Sequence, residues 1–490
     1  MTTQPQATRA ELKERELRLL FEVYKKDPKL FERPTFIEDA KTLEEFGIYI
    51  EGKESFPYGV VKFMPQDFIV EEVTETGEVC TIQKENLLSP DTVLPEGPTL
   101  YATMVKCNLS TLNAVTELAK LLSCSPEQIR YAGLKDKDAI TAQRFSFRQI
   151  SLDALKKVSS PHFFLKDVTS GKGALEKGKL KGNRFTIFIR VEKAFFETEQ
   201  SGIFVKNLAR VREHGFYNYF YLQRFGTPRL AAHYWGLDMV HGYYRRVAEN
   251  FISFASPREI PYFKNLRREL GKCFGDWDRM LEILEPFPLI FSNEAKIVRY
   301  LKEKPEDFSG AVAQVAEQAT MWVNSVSSWL FNLKIASYLK QGKEPPPSLP
   351  LFLDPGNSSG SMYQDLMRSQ RISVQDFRNL RCLPSLQPPR KPVATREPVK
   401  VEKAEILDSG IVLKFFLPKG EYATTFLSHL FNLISDRPSI VVDESSVDTK
   451  AAIGEEGAAA TLEHFLPIIH PKSKNYFEEL AREEAEQLGK

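Results

Sequence analysis

Apolar residues recur along this chain with two different spacings. At the N-terminus, Leu12, Leu19 and Val23 return near helical spacing, with charged residues on the other positions. This pattern predicts one amphipathic helix over residues 1 to about 28. The segment KESFPYGVVKFMPQDFIVEE, residues 53–72, instead predicts strands around a proline-containing turn. The chain therefore begins with a helix and then enters a sheet.

Further along, the predicted elements come in blocks. Residues 113–122 are predicted as a helix, and FTIFIRVE, residues 185–192, as an apolar strand. A mostly helical block follows from about residue 230 to 380, and strand character returns at residues 411–416. Because strands lie at both ends of a helical block, we expect one domain to be inserted into another.

Composition limits the class of protein. The chain has 490 residues, of which 42% are hydrophobic and 27% charged, so we expect a globular protein of roughly two to four domains. It contains no apolar run of about 18 residues and no apolar signal core, so we expect neither a membrane span nor secretion. The five cysteines are widely spaced and the seven histidines show no HExxH or HxH spacing. We therefore predict a cytoplasmic protein without a metal site.

Charge is distributed unevenly although the net charge is only +1. Residues 131–190 carry 13 Lys/Arg against 5 Asp/Glu, a net of +8, and residues 441–490 carry 5 against 11, a net of −6. The basic stretch includes the loop KDVTSGKGALEKGKLK, residues 166–181, which lacks a complete nucleotide-binding motif. Its glycine-spaced lysines suit contact with a phosphate backbone, and a solvated surface loop is the alternative. The candidate backbone contacts are Lys172, Lys177, Lys179 and Lys181.

The segment YAGLKDKDAITAQRFSF, residues 131–147, is the strongest chemical signal in the chain. Here Asp136 lies between Lys135 and Lys137, and neighbouring positive charge favours the ionised carboxylate that a nucleophile or general base needs. The alternative is a charged surface turn. A capping signal at Ser125 predicts a helix that ends just before Gly133 and delivers Asp136 at its exit.

Five segments in this order resemble the TruD family of pseudouridine synthases. They are KFMPQDFIVEE (62–72), YAGLKDKDAITAQ (131–143), KGNRFTIFIR (181–190), GFYNYFYLQRFG (215–226) and FFLPKGEYATTFL (415–427). The resemblance implies an α+β fold in which a central antiparallel mixed α/β sheet is interrupted by a mostly helical TruD-type insertion. It also implies an RNA-binding cleft between the two parts. The expected divisions are a helical extension (1–50), the first part of the catalytic domain (51–214), the insertion (215–385), the second part (386–440) and an acidic C-terminal tail (441–490).

The same resemblance assigns roles to individual residues. Asp136 matches the catalytic aspartate, whereas Asp138 fills a variable position and receives no role. Lys62 matches a basic residue that pairs with the aspartate, the alternative being a surface lysine. Asn183 matches an asparagine that positions the aspartate or the base by hydrogen bonding. Phe185 matches an aromatic residue that stacks on the flipped base, the alternative being a core strand residue.

Tyr422 matches a second aromatic residue, usually Phe, and Glu421 replaces the usual small residue before it. Other departures are Tyr217, Tyr221 and Leu222, where Pro, Gly and Glu are common, and they bear on substrate preference more than on activity.

The activity implied by the resemblance is isomerisation of a uridine in tRNA, with U13 in the D arm as the expected target, without cofactor or metal. The sequence does not give the oligomeric state, for which a monomer is the favoured expectation. Three alternatives stay open at this point. They are a synthase of broader RNA specificity, a catalytically silent RNA-binding protein, and a nucleotide-binding enzyme that uses the loop around Gly171.

Overall fold

The protein's structure, a computed structural model, describes residues 8–94, 97–352, 362–383, 386, 392–435, 437–471, 477, 478 and 481. The first seven residues of the predicted N-terminal helix and residues 482–490 of the acidic tail lie outside the described residues.

The described part of the chain contains fifteen strands, most of them in one sheet. In chain order the strands are β1 Ile37–Glu38, β2 Tyr58–Val60, β3 Phe68–Thr74, β4 Thr99–Cys107, β5 Ile129–Tyr131, β6 Ile140–Arg148, β7 Phe163–Gly171, β8 Leu180–Arg190, β9 Phe216–Tyr217, β10 Ser348–Leu349, β11 Val393–Ala394, β12 Arg396–Glu397, β13 Lys400–Leu407, β14 Gly410–Pro418 and β15 Asn432–Ile434.

Seven of the seventeen α-helices of the described residues fall between β9 and β10. In chain order the helices are α1 Arg9–Lys26, α2 Ala40–Glu44, α3 Thr111–Leu121, α4 Leu152–Lys156, α5 Ala194–Glu197, α6 Gln200–His214, α7 Ala232–Val240, α8 Tyr244–Ser253, α9 Pro261–Lys272, α10 Trp277–Leu284, α11 Ser292–Glu303, α12 Phe308–Ala313, α13 Ala316–Leu339, α14 Gln364–Ser369, α15 Ala423–Ser428, α16 Thr449–Ala452 and α17 Ala459–Phe465.

Eleven of these strands form one mixed sheet. Its central run is β13–β14–β8–β3–β6–β4–β7, with β5 beside β6 and the short strands β2, β15 and β1 continuing from the end of β8. Most neighbours are antiparallel, but β3 and β6 are parallel, with Ile69 opposite Ile140. Parallel neighbours begin at the same edge of a sheet, so the segments that precede β3 and β6 lie side by side.

The two faces of the sheet differ in what covers them. Phe68, Val70 and Glu72 point to one face, which we call the site face, because successive strand residues alternate. The opposite face carries Ile69 and Glu71 and is covered by the chain after β15, where Phe465 of α17 packs into a cluster with Ile69. The segment expected as an acidic tail thus packs on the sheet over much of its described length.

The helical block leaves and rejoins the sheet through a paired ribbon. The chain departs after α6 through β9 and returns through β12, and the two strands pair with Arg396 opposite Tyr217. The block between them is built around α13, a buried helix of 24 residues that packs against α7. A two-strand junction of this kind is what an inserted segment needs at its base.

The prediction of a helix starting at Ser125 is wrong. Ser125 does cap a turn, but only a 3-10 turn at Pro126–Gln128 forms, and the chain then becomes β5. Ile129 and Tyr131 pair with Phe147 and Phe145 of β6. The cross-strand contacts therefore stabilise a strand where the local capping signal favoured a helix. Asp136 therefore lies in a loop between two strands.

Candidate active site

The loops that precede β3 and β6 meet through one ion pair. Lys62 Nζ lies 2.5 Å from Asp136 Oδ1, and the two side chains are 17% and 39% exposed. Lys62 has a backbone φ of +56°, a left-handed conformation that a long side chain seldom adopts. Its ammonium lies 4.2 Å from the centroid of the Phe68 ring, which adds a cation–π contact on the site face. The structure brings together the two residues that the sequence predicted as partners.

The surroundings of Asp136 favour its ionised form. Desolvation raises the pKa of Asp136, but the charge of Lys62, its hydrogen bond and the charge of Lys106 outweigh this effect. The pKa of Asp136 therefore lies below its ordinary value, and the carboxylate is charged at neutral pH. An accessible, ionised carboxylate is what nucleophilic attack or proton abstraction requires.

The loop that carries Asp136 is fixed by hydrogen bonds on almost every residue. Gln143 Nε2 donates to the carbonyl oxygen of Gly133 at 2.9 Å, and the Thr111 hydroxyl accepts from the backbone N–H of Lys135 at 2.9 Å. The Lys135 side chain turns inward and forms a buried ion pair with Glu72 at 2.7 Å. Lys135 is therefore not an ammonium group beside the Asp136 carboxylate, as the sequence pattern alone suggested, but an anchor of the loop.

Sequence analysis missed Lys106, which lies beneath this loop. Its Nζ donates to the carbonyl oxygens of Asp136 at 2.7 Å and Leu109 at 2.6 Å, and the residue has no exposed surface. Desolvation lowers the pKa of Lys106 to about 8, against the opposing effect of Asp136. The only signal in the sequence is a lysine inside the otherwise apolar end of a strand, TLYATMVKC.

An aromatic layer covers the sheet beside the ion pair. Phe185 lies opposite Val70 and Phe415 in register, and its ring stacks on Phe415 with centroids 5.2 Å apart. Phe68 meets the same ring edge-on at 6.1 Å. Phe185 is only 4% exposed, as expected if it is a core strand residue. Its stacking on a base stays a prediction.

Asn183 and Tyr422 lie farther along the same strands. Asn183 is opposite Glu72, the partner of Lys135, and so faces the same side of the sheet as Phe185. Its Oδ1 is buried and has no hydrogen-bond partner among the described residues, so its capacity to accept a hydrogen bond is unused in this structure. Tyr422 immediately precedes α15 and is half-buried. Within the described residues, no hydrogen bond or ring contact of its side chain joins Tyr422 to Asp136 or Phe185.

The basic loop borders the Asp136 loop. Gly178 donates its N–H to the carbonyl oxygen of Ala132 at 2.7 Å, and Lys419 Nζ donates to the carbonyl oxygen of Gly178 at 2.8 Å. All four lysines proposed for backbone contact are exposed, but Lys179 lies 3.7 Å from the carboxylate of Glu75. A cavity of about 530 Å³ between the loop and the β3–β4 connection is lined by Glu72, Glu75, Glu78 and Glu176. Part of the positive charge of the loop is therefore balanced locally.

The segment GFYNYFYLQRFG, which carries the departures Tyr217 and Tyr221, contacts the N-terminal extension and the junction. The Tyr221 hydroxyl donates to the buried carboxylate of Glu38, and the Tyr219 hydroxyl donates to the carbonyl oxygen of Tyr49 at 2.7 Å. Tyr217 bonds to Glu344, just beyond α13. Gln223 from the same segment donates to Thr424 of α15 at 3.3 Å. The segment thus connects residues 38–49 to the helix that follows Tyr422.

Two kinds of site are not found in the part of the chain that the structure describes. It holds no group of three or more His, Cys, Asp or Glu side chains arranged to bind a metal ion. Likewise, none of the described helices has the length and apolar character needed to span a bilayer.

Comparison with known proteins identifies the family of the chain. The family model for TruD, described as tRNA pseudouridine synthase D, matches residues 47–346. A protein of Methanocaldococcus jannaschii named "Probable tRNA pseudouridine synthase D 1" is 27% identical over 388 residues, covering 76% of this chain and 95% of the relative. A Methanopyrus kandleri protein named "Probable tRNA pseudouridine synthase D" is 28% identical over 358 residues, covering 68% and 86%.

A solved structure shows the same fold. The crystal structure of the "Putative tRNA pseudouridine synthase D (TruD)" of Methanosarcina mazei superposes with a TM-score of 0.59 at 23% identity, covering 79% of this chain and 97% of the other. The predicted α+β fold class is thereby confirmed. The match to the family model shows that the chain is an RNA-modifying isomerase of the pseudouridine synthase class. The chain belongs to the TruD family of that class.

Proposed function

We propose that this protein isomerises a uridine of tRNA to pseudouridine in the cytoplasm, with Asp136 as the catalytic residue and U13 of the D arm as the target. The observation that carries the proposal is the Lys62–Asp136 pair, which lies at the edge of the sheet next to the aromatic layer. Family membership supports the reaction, and the site residues support the assignment of roles.

The reaction exchanges one glycosidic bond for another. The C1′–N1 bond breaks, the uracil turns, a C1′–C5 bond forms, N1 gains a proton and C5 loses one, so no atom is gained or lost overall. Asp136 acts on the ribose, by attack at C1′ or by removal of the C2′ proton, and both routes use the ionised carboxylate that Lys62 and Lys106 favour. Neither route calls on a metal or an organic cofactor.

The roles that we propose for Asn183, Phe185 and Tyr422 follow from where these residues lie relative to Asp136. Asn183 Oδ1 is the acceptor for an N–H of the extruded uracil, since its own hydrogen-bonding capacity is unused in the described structure. Phe185 forms the stacking wall together with Phe68 and Phe415, and Tyr422 closes the pocket from the side of α15. We retain the division of the chain at residues 50, 214, 385 and 440, with the RNA lying between the catalytic parts and the insertion.

The test is tritium release from tRNA transcribed with [5-³H]uridine. The wild-type protein should release one tritium per tRNA, and a U13C transcript should release none. Asp136→Asn should lower the rate by several orders of magnitude while RNA affinity stays within about threefold. Asp138→Asn is the matched control, because Asp138 is an exposed aspartate of the same loop.

Each outcome decides between stated alternatives. Release from the U13C transcript, followed by mapping of the modified positions, would replace the U13 assignment with a broader specificity. Binding of tRNA without any release would identify a silent RNA-binding protein. Equal rates for Asp136→Asn and the wild type would show that another group performs the chemistry.

A further inference from the structure

Lys106 differs from the other residues near Asp136 because it touches the backbone of the catalytic loop from inside the protein. It lies near the end of β4, opposite Thr141 of β6, and so directly below the point where the Asp136 loop enters β6. One ammonium group bridges two carbonyl oxygens, those of Asp136 and Leu109, at 2.7 and 2.6 Å. No carboxylate oxygen lies within 4 Å of this ammonium in the described part of the chain, although the residue is fully buried.

We propose that Lys106 is a positioning residue for Asp136. Its ammonium holds the Asp136 carbonyl, and so the Asp136 loop, in a fixed position relative to the sheet, and it places a positive charge below the carboxylate. This inference rests on the proposed function of Asp136. A fully buried ammonium is costly unless its donors are satisfied. Here one donor is satisfied by the carbonyl of Leu109, between β4 and α3, and one by the carbonyl of Asp136, in the loop that carries the carboxylate. The burial therefore serves the conformation of that loop.

Two features link Lys106 to the chemistry as well as to the fold. The backbone carbonyl that it holds belongs to Asp136 itself, so removal of the Lys106 ammonium displaces the carboxylate relative to Lys62 and the bound ribose. The charge of Lys106 also contributes to lowering the pKa of Asp136, after the larger contribution of Lys62. The titratable groups that influence the charge of Lys106 are Asp136, Lys62, Lys135 and the neighbouring thiol of Cys107.

The chain offers a matched control in Lys166 of β7. Lys166 is also fully buried and also bridges two oxygens, the Thr81 hydroxyl at 3.0 Å and the Gln83 carbonyl at 2.8 Å. Unlike Lys106, it also lies near two carboxylates, those of Glu85 at 3.4 Å and Asp167 at 3.5 Å. It lies opposite Thr103 of β4, on the face of the sheet turned away from Asp136. Replacing it removes a buried ammonium without touching the Asp136 loop.

The experiment compares Lys106→Met, Lys106→Gln and Lys166→Met with the wild type in single-turnover tritium release at saturating tRNA. Lys106→Met should lower the rate by about 10- to 100-fold, because small misplacements of a reacting group have effects of this size. The tRNA dissociation constant should change by less than about threefold, since Lys106 is inaccessible to RNA. Lys106→Gln, which keeps a neutral NH₂ donor group but no charge, should fall between Lys106→Met and the wild type. Lys166→Met should keep the wild-type rate per folded molecule.

Two readouts separate positioning from a purely structural role. The acid limb of the pH–rate profile should move to higher pH in Lys106→Met, because Asp136 loses a stabilising charge, and should not move in Lys166→Met. Backbone hydrogen exchange should rise over residues 133–139 in Lys106→Met and over residues 81–86 in Lys166→Met.

The outcomes also distinguish this inference from the proposed function. An inactive wild type, or an active Asp136→Asn, would overturn the role of Asp136 and the inference together. An active wild type, an inactive Asp136→Asn and a Lys106→Met variant that behaves like Lys166→Met would overturn the inference alone. Failure of both Lys106 variants to fold where Lys166→Met folds would also overturn it, because Lys106 would then be a folding residue.

Discussion

Replacing Lys450 tests whether the acidic C-terminal segment is a structural layer of the sheet. Lys450 Nζ lies 2.7 Å from Glu71 Oε2, and the two side chains are 3% and 1% exposed. The other Glu71 oxygen accepts the backbone N–H of Ile82 at 3.1 Å. Lys450→Met therefore leaves a buried carboxylate in β3 that has lost its counter-charge.

The size of the effect follows from this burial. Removing one partner of a buried ion pair typically lowers the free energy of unfolding by about 3–5 kcal/mol, because the remaining charge stays desolvated. The double variant Lys450→Met with Glu71→Gln should recover most of this loss, since the Gln carbonyl still accepts from Ile82 and residue 71 carries no charge. Glu455, which lies 3.5 Å from Lys450, keeps its ion pair with Lys414. Because Glu71 faces away from Asp136, turnover per folded molecule should not change in either variant.

The assay is equilibrium urea unfolding together with single-turnover tritium release. The matched comparison is Lys135→Met, which breaks the neighbouring pair between Lys135 and Glu72, 3% and 1% exposed, on the site face. It should lose similar stability and also lose activity, because Lys135 anchors the Asp136 loop. A Lys450→Met variant that loses less than about 1 kcal/mol, the range of surface pairs, would refute the view that this segment is packed as part of the sheet.

Three further changes test the site. Phe185→Ala should lower the free energy of unfolding by about 3–5 kcal/mol through the cavity it creates, and thermal melts check this. If Phe185 also stacks on uracil, turnover per folded molecule should fall for Ala and be kept for Tyr; normal turnover for Ala would reject stacking. Desolvation and the neighbouring Glu397 raise the pKa of Glu421 to about 7, from an ordinary value of 4.5, against a hydrogen bond from Asn218. Because the folded state keeps this proton to higher pH than the unfolded chain does, the free energy of unfolding should fall as pH rises from 4.5 to 7. Thermal melts at several pH values should show a smaller fall for Glu421→Gln. The control variant Glu78→Gln, at an exposed position, should leave the fall unchanged. Replacing the basic-loop lysines together by Gln should reduce the slope of log affinity against log salt by about 0.7–0.9 for each phosphate that the loop no longer neutralises, and an unchanged slope would exclude the loop from the RNA. Those lysines are Lys172, Lys177, Lys179 and Lys181.

The sequence predicted the α+β fold class and the pairing of Lys62 with Asp136, but not the strand pairing that brings their two loops together. Asp136 stood out because charged residues cluster after a glycine, and the pairing with Lys62 was expected from the resemblance and is present in the structure. The parallel pairing of β3 and β6, which brings the two loops together, is a long-range property that local periodicity does not contain. The error at Ser125 has the same origin, because a capping signal is local whereas the pairing of β5 with β6 is not.

Lys135 and Lys106 show why charge is hard to interpret from sequence. Lys135 is next to Asp136 in the chain, yet its side chain reaches Glu72 inside the protein. Lys106 is 30 residues away and directly contacts the Asp136 backbone. Sequence proximity therefore identified the wrong ammonium group, because the direction of a side chain depends on which face of the sheet its residue occupies.

The structure gives a physical reason for the tyrosine at position 221, which departs from the family pattern. Tyr221 stands where glycine is common, and its hydroxyl meets Glu38, which also accepts from Ser435 after β15. Tyr219 holds the chain at Tyr49 in the same way. The N-terminal extension thus supplies the acceptors that make these tyrosines tolerable in a buried position. It follows that residues 38–49 and the segment around Tyr221 form one unit, which supports α15 and the wall of the site through Gln223 and Thr424.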